Sequence, residues 1–154
     1  MKTIFLCFSF FVLCFAQDSR ETLISYINTK LDAFSGKTDV GYVRYFIDID
    51  KDNQILVYEH WYINNLFYSE KKRPRETIYT FSPDHIESVA LSEENSGIYF
   101  HLKEAYYRTK SRTVVKEIIL SLSDEENTSS AENEYVQLKN SFVFLFRNLM
   151  NQKL

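Results

Sequence analysis

The sequence predicts an α+β domain with a helix at its start, about seven antiparallel strands in a bent sheet, and an amphipathic helix at its end. The helices are predicted because apolar residues recur every three or four positions near both ends of the chain, as in amphipathic helices. The sheet is predicted from the stretch Gly41 to Ile63, in which two alternating apolar runs flank a polar turn. Successive side chains of a strand point to opposite faces, so this alternation indicates a β-hairpin.

Residues 1–16 have the features of a secretory signal peptide. Lys2 is positively charged, the run from Ile4 to Leu13 is apolar but too short to span a bilayer, and small residues precede the expected cleavage site. We therefore predict export to the periplasm or the extracellular space, with one mature domain over residues 17–154. Lipidation of Cys14 and retention of the segment as an anchor are the alternatives.

Cysteine content and charge exclude several functions. Both cysteines, Cys7 and Cys14, lie in the predicted signal peptide. The mature domain would then contain no disulfide, no cysteine–zinc site and no cysteine nucleophile. The formal net charge is −3, which provides no general attraction to nucleic acid or to an anionic membrane surface. We expect no nucleic-acid partner and no transmembrane segment in the mature chain.

The first helix is predicted over residues 18–34. Asp18 or Ser19 can cap its N-terminus, and Ser35-Gly36 ends it. Its apolar stripe consists of Leu23, Ile24, Ile27, Leu31 and Phe34.

The turn of the central hairpin allows two interpretations. Asp50 to Asn53 suits a tight turn, because Asp favours the first turn position and Asn tolerates the left-handed conformation. Alternatively, Asp48, Asp50, Asp52 and Glu59 occupy positions 1, 3, 5 and 12 of a calcium loop. Asn53 stands where such a loop needs glycine, and strands rather than helices flank it. The sequence predicts no cofactor, and calcium at this turn is the alternative.

The remaining elements follow from shorter patterns. The acidic stretch from Ser123 to Glu134 is predicted to be a loop, and it contains a glycosylation sequon at Asn127. Ser129 to Glu132 fits a capping box for a closing helix predicted from Glu134 to about Asn151. The apolar stripe of this helix consists of Tyr135, Leu138, Phe142, Leu145 and Leu149, and Phe146 widens it. The further predicted strands are Leu66–Ser69, Thr77–Phe81, Ile86–Leu91, Ile98–Lys103 and Thr113–Leu122.

The order of these elements resembles the pleckstrin-homology-like fold, in which a final helix closes one end of a bent sheet. The segments ETLISYINTKLDAF, TFSPDHIESVAL, GIYFHL and ENEYVQLKNSFVFLFRNL also resemble a group of small, uncharacterised secreted proteins of Bacteroidetes-type bacteria. This resemblance implies no activity and no catalytic residues. A cystatin-like domain is the second interpretation, although it does not account for the long final helix.

The sequence gives little support for catalysis. It contains no nucleophile elbow, no P-loop and no zinc-protease motif. A hydrolase would need a base from among His60, His85 and His101, of which His60 and His101 would meet only if their strands pair. Glu59 and His60 point to opposite faces of one strand, so they cannot act together.

Two kinds of surface indicate binding. In pleckstrin-homology-like domains, inter-strand loops bind phosphorylated headgroups, and the basic residues Lys71, Lys72, Arg73 and Arg75 form a loop of this type. Tyr58, Tyr62, Tyr79 and Tyr99 are expected on the sheet face away from the core, where exposed aromatic residues mark interfaces. We therefore predict a non-enzymatic, exported interaction or scaffold module whose partner is a protein or an envelope surface. The alternative is a small-ligand or calcium-binding domain that uses the cluster from Asp48 to Asp52.

Overall fold

The computed structural model describes residues 19–34, 36–38, 41–63, 75–92, 97–107, 113–122 and 129–151. In these ranges, helix α1 covers residues 19–33 and helix α2 covers Ser129–Asn151. The strands are β1 (Gly36–Thr38), β2 (Gly41–Ile49), β3 (Ile55–Ile63), β4 (Arg75–Phe81), β5 (Ile86–Leu91), β6 (Gly97–Tyr107) and β7 (Thr113–Ser121), with a 3-10 turn at Pro83–His85 between β4 and β5.

The predicted α+β fold is confirmed, with a small difference in the strand count. Six strands are long, one fewer than predicted, and the three-residue β1 adds a short pairing beside β2. The strand predicted at Leu66–Ser69 lies outside the described residues. Helix α2 begins at Ser129, inside the predicted acidic loop, so the predicted helix start at Glu134 was too late.

All the described strand pairs are antiparallel, and the sheet curls into a half-barrel. β4 and β5 lie in succession along β6, because Thr80 is opposite Tyr106 and Ile86 is opposite Leu102. The two strands therefore act as one strand that bends at the 3-10 turn. β3 pairs with the other side of β4, and β7 pairs with β6.

The turn between β2 and β3 is built as the sequence predicts. The Asn53 N–H donates to the Asp50 carbonyl at 3.0 Å, and Asn53 has a φ of 56°. Asn is one of the few side chains that adopt this left-handed conformation readily. The turn holds the two strands in register, with Ile49 opposite Ile55.

The hydrophobic core lies between the concave face of the sheet and the two helices. Helix α2 packs mainly against β5, β6 and the 3-10 turn. Its Phe142 and Phe146 rings pack edge-on against Phe100, at centroid distances of 4.9 and 5.5 Å. Phe100 and Phe142 are fully buried, and each buried aromatic side chain contributes about 2–3 kcal/mol of transfer free energy. The predicted apolar stripes of both helices face this core.

Helix α1 lies along β2 and contacts α2. Phe34 packs edge-on against Tyr135 at 4.8 Å, and the Lys30 ammonium lies 2.7 Å from the Glu134 carboxylate. The hydrogen bond to Glu134 raises the pKa of Lys30 above its usual value. Because both side chains are partly exposed, this ion pair contributes at most about 1 kcal/mol.

One predicted core residue lies elsewhere. The apolar pattern of the last strand predicts that Val114 shares one face with Ile118, Leu120 and Leu122. These three residues are buried, but Val114 is 51% exposed. The pairing of β6 with β7 shifts between His101 and Ala105. This irregularity interrupts the strict alternation of faces, so a count of two from Ile118 does not predict the orientation of Val114.

Candidate functional site

The outer, convex face of β2 and β3 contains a ladder of aromatic and charged side chains. Tyr42 stacks on Tyr62 with a centroid distance of 4.6 Å and an angle of 9°. Two rows further along the hairpin, Phe46 and Tyr58 are opposite each other at 5.6 Å. Arg44 and His60 form the row between these two pairs. We call these six residues the outer-face ladder.

The charged groups of the ladder extend onto neighbouring elements. The Arg44 guanidinium lies 5.4 Å from the Tyr42 ring centroid and 5.8 Å from that of Tyr62, within cation–π range. Arg44 also lies 3.7 Å from Asp32 of α1. On the other side, His60 Nε2 lies 2.8 Å from a carboxylate oxygen of Glu76 on β4. The face therefore combines aromatic area with both signs of charge.

Phe46 is the most accessible aromatic residue of the outer-face ladder. It is 44% exposed, and it lines a shallow groove of about 530 Å³ between α1 and β2 together with Asn28, Asp32 and Asp48. Tyr58 and Tyr62, which the sequence predicted for this face, are half-buried rather than buried.

The other predicted tyrosines lie elsewhere. Tyr99 is on the outer face, but its neighbours across the strands are Ala90 and Ile119, so it does not join Tyr58 and Tyr62. Tyr79 lies on the inner face, since it is opposite the core residue Val57. The prediction that Tyr79 faces away from the core was wrong.

The predicted basic loop is described only at its end. Lys71, Lys72 and Arg73 lie outside the described residues. Arg75 is the first residue of β4, is exposed, and stands opposite Trp61.

The four predicted calcium ligands are on different faces. The Asp50 carboxylate accepts hydrogen bonds from the N–H groups of Asp52 and Gln54 at 2.9 and 2.8 Å. Asp48 accepts the Ile49 N–H on the outer side of β2. Glu59 lies on the inner face, opposite Tyr45. Within the described ranges, no three His, Cys, Asp or Glu side chains come together to hold a metal, and the calcium site stays a prediction.

A second polar cluster occupies the inner face of the sheet. The Tyr79 hydroxyl donates to Glu59 Oε2 at 2.9 Å, and the Trp61 indole N–H donates to Glu59 Oε1. Tyr45 is opposite Glu59, and its hydroxyl accepts the backbone N–H of Ser121 at 3.1 Å. Burial raises the pKa of Tyr45, and the negative charge of Glu59 raises it further.

The three histidines do not form a joint site. β3 pairs with β2 and β4 but not with β6, so His60 and His101 do not meet. His101 instead lies 3.4 Å from Glu117, and His85 Nδ1 is 3.1 Å from the Glu104 carbonyl oxygen. The sequence shows each histidine but contains no signal for these cross-strand partners.

Sequence reasoning missed Tyr42, Arg44 and Phe46 of the ladder and the partners of Glu59. The alternation in β2 places Tyr42, Arg44 and Phe46 on one face and was sufficient to identify that set. No local pattern identifies Tyr79 as a partner of Glu59. The two residues are diagonal neighbours across β3 and β4, so their contact depends on the register of that strand pair.

The fold and its surfaces define an α+β half-barrel lined by two helices, with polar and aromatic clusters on both faces of its sheet. Comparison of the chain with protein families, curated proteins and solved structures finds no match. In the part of the chain that the structure describes, no helix has the length and apolar character needed to cross a membrane.

Proposed function

We propose that this protein is a non-enzymatic, exported interaction module that binds a protein partner through the outer-face ladder. One observation carries the proposal: two ring pairs, Tyr42–Tyr62 and Phe46–Tyr58, lie on either side of the row formed by Arg44 and His60 on the outer face of the sheet. Aromatic side chains bury a large area while losing little conformational entropy, which is why they are enriched at protein interfaces.

The face of the sheet is a better candidate than the edge of β2. Beyond its pairing with β1, the edge at Ile47 is occupied by the side chain of Asn28, which bonds both backbone groups of that residue. A peptide strand cannot add at this position without displacing Asn28. The outer-face ladder needs no such rearrangement.

The ladder indicates the chemistry of the partner surface. Phe46 offers an exposed ring, while Arg44 holds a guanidinium beside two aromatic rings, where it can bind a carboxylate in a bidentate manner. A protein surface with an apolar side chain next to an Asp or Glu would complement both groups. A strongly basic or acidic polymer would complement only one sign of the charges around Arg44, Asp32 and Glu76.

Site-specific photo-crosslinking tests the proposal. A photoreactive phenylalanine analogue would replace Phe46 in one sample and Phe144 in another, since Phe144 is an exposed phenylalanine on α2. Each protein would be irradiated with its cell-envelope fraction, and the crosslinked partner identified by mass spectrometry and purified. We expect one protein partner from position 46 and not from position 144.

Binding of the purified partner would then be measured by calorimetry. We expect Arg44→Ala and Tyr62→Ala each to weaken binding by at least about tenfold, which is about 1.4 kcal/mol. Phe144→Ala should leave the affinity within about twofold. Equal affinity of the two ladder variants and the unmodified protein, or crosslinking from position 144 alone, would contradict the proposal.

A further inference from the structure

Glu59 places a carboxylate on the concave face of the sheet. Its neighbours across the strands are Tyr45 and Thr77. Other positions on the same face of the hairpin are Val43, Ile47, Ile55 and Val57, all of which belong to the core. An acidic residue in this environment must lose part of its hydration. Burial of a carboxylate costs free energy unless the charge is paired.

The described partners of Glu59 are both neutral. The Trp61 indole and the Tyr79 hydroxyl each donate to one carboxylate oxygen. The ion pairs found among the described residues do not include Glu59, and Arg75, which is exposed on the same face, is not in ion-pair contact with it. Two hydrogen bonds orient the carboxylate, but among the described side chains no positive charge compensates it.

The surroundings select the class of cation. Calcium and magnesium need several oxygen ligands, and Glu59 is the only carboxylate of this cluster. Three aromatic residues surround it instead: Tyr45, Trp61 and Tyr79. The Trp61 and Tyr79 donors point at the carboxylate, so their rings provide apolar area beside it. An organic ammonium ion can pair its charge with a single carboxylate while its carbon-bound part packs against aromatic side chains. Glu59, Trp61 and Tyr79 are half-buried, so the cluster is partly accessible to a small molecule.

We propose that Glu59, Trp61, Tyr79 and Tyr45 form a binding site for a small organic ammonium ion on the inner face of the half-barrel. The carboxylate supplies the counter-charge, and the aromatic side chains contact the carbon-bound part of the ligand. The site is on the opposite face of the sheet from the outer-face ladder and does not depend on the proposed protein partner.

The protein contains a single tryptophan, so the intrinsic fluorescence of Trp61 reports directly on this site. The full domain would be titrated with choline and with butylammonium at constant ionic strength. The matched neutral probe is 3,3-dimethyl-1-butanol, which has the shape of choline without its charge. We expect a saturable change in Trp61 fluorescence with at least one of the two ammonium probes, and no saturable change with the neutral alcohol.

Two variants separate the carboxylate from a general charge effect. Glu59→Gln should weaken ammonium binding by at least about tenfold. Glu76→Gln removes the same charge from the outer face of the adjacent strand and should change the affinity by less than about twofold. Saturable binding that is equal for choline and the alcohol, no saturation with either ammonium ion up to about 100 mM, or an unchanged affinity in Glu59→Gln would overturn the proposal.

A second variant is available if Glu59→Gln does not fold. If circular dichroism shows that Glu59→Gln is unfolded, Tyr79→Phe takes its place, because it removes one hydrogen bond to the carboxylate and keeps the ring. Tyr79→Phe should weaken choline binding by about threefold or more, since the carboxylate is less firmly oriented. The comparison of choline with its neutral analogue on the unmodified protein decides the matter independently of both variants.

Discussion

The carboxamide of Asn28 forms two hydrogen bonds with the backbone of Ile47. The Ile47 N–H donates to Asn28 Oδ1 at 2.8 Å, and Asn28 Nδ2 donates to the Ile47 carbonyl at 2.9 Å. A side chain of helix α1 thus takes the place of a neighbouring strand along the edge of β2. This contact attaches the helix to the sheet and satisfies two backbone groups that an edge strand would otherwise present.

Replacement of Asn28 should therefore destabilise the domain. We expect Asn28→Ala to lower the free energy of unfolding by about 1–3 kcal/mol, because it leaves both groups of Ile47 without these partners. Urea denaturation followed by circular dichroism measures the change. Asn140→Ala, at an exposed position of α2, is the control and should have an effect below about 0.5 kcal/mol. Equal midpoints for both variants would show that the contact contributes nothing.

Because of Tyr45, the free energy of unfolding of the domain should fall as the pH rises into the alkaline range. Burial raises the pKa of its hydroxyl in the folded protein, so the folded state favours the neutral form. The associated stability is present below about pH 10, where unfolded tyrosine is also neutral. It is lost as the pH rises and the unfolded chain ionises first.

Tyr45→Phe tests this dependence. We expect the variant to lose about 1 kcal/mol at neutral pH, because Ser121 loses the acceptor of its N–H. Above pH 10, however, its stability should fall less steeply than that of the unmodified protein. Lys30 titrates in both proteins, so the difference between the two curves isolates Tyr45. Parallel curves up to pH 11.5 would refute the assignment.

Two phenylalanines of α2 are predicted to differ sharply. Phe142 is fully buried, whereas Phe144 is 59% exposed. We expect Phe142→Ala to cost about 3–5 kcal/mol, through lost burial and the cavity it leaves, and Phe144→Ala to change stability by less than about 0.5 kcal/mol. Thermal and urea unfolding of both variants measure this difference. Similar losses of stability in the two variants would contradict the assignment of Phe142 to the buried face of α2 and Phe144 to its exposed face.

Gly97 is required by the close approach of β7. A Cβ atom added at this position would lie 2.9 Å from the carbonyl oxygen of Leu120, which is a backbone atom of a paired strand. We expect Gly97→Ala to destabilise the domain by about 1–3 kcal/mol, since β6 and β7 must separate slightly. Ala90→Gly removes a methyl group at a half-buried position of β5. Its change in stability is the comparison for the methyl group that Gly97→Ala adds. A variant at Gly97 with full stability would show that the strands accommodate the methyl group.

The aspartates of the hairpin turn provide a test of the calcium prediction. Asp50 accepts two backbone hydrogen bonds, whereas Asp52 is exposed in the turn. We expect Asp50→Ala to lower stability by about 1–2 kcal/mol in the presence of a chelator, and Asp52→Ala to have little effect. A ligand that binds only the folded state raises the melting temperature. A calcium-dependent rise that Asp52→Ala abolishes would establish a metal site, while a turn alone predicts no rise.

The sequence by itself determined the features that depend on local periodicity. The apolar stripes of both helices, the hairpin from Gly41 to Ile63 and the left-handed Asn53 were predicted correctly. These patterns indicate which face of each element is buried, because apolar residues on one face recur every two residues in a strand and about every 3.6 residues in a helix. The placement of Tyr58 and Tyr62 on the outer face follows from the same alternation.

Only the tertiary structure decided which side chains meet. The bend between β4 and β5, the shifted register near His101 and the place of α1 along β2 bring together residues that are far apart in the chain. They determine that Tyr79 reaches Glu59, that His60 meets Glu76 and that Val114 is exposed. Such contacts depend on strand register and curvature, which arise from the packing of the whole sheet against its helices and leave no signal in a short stretch of sequence.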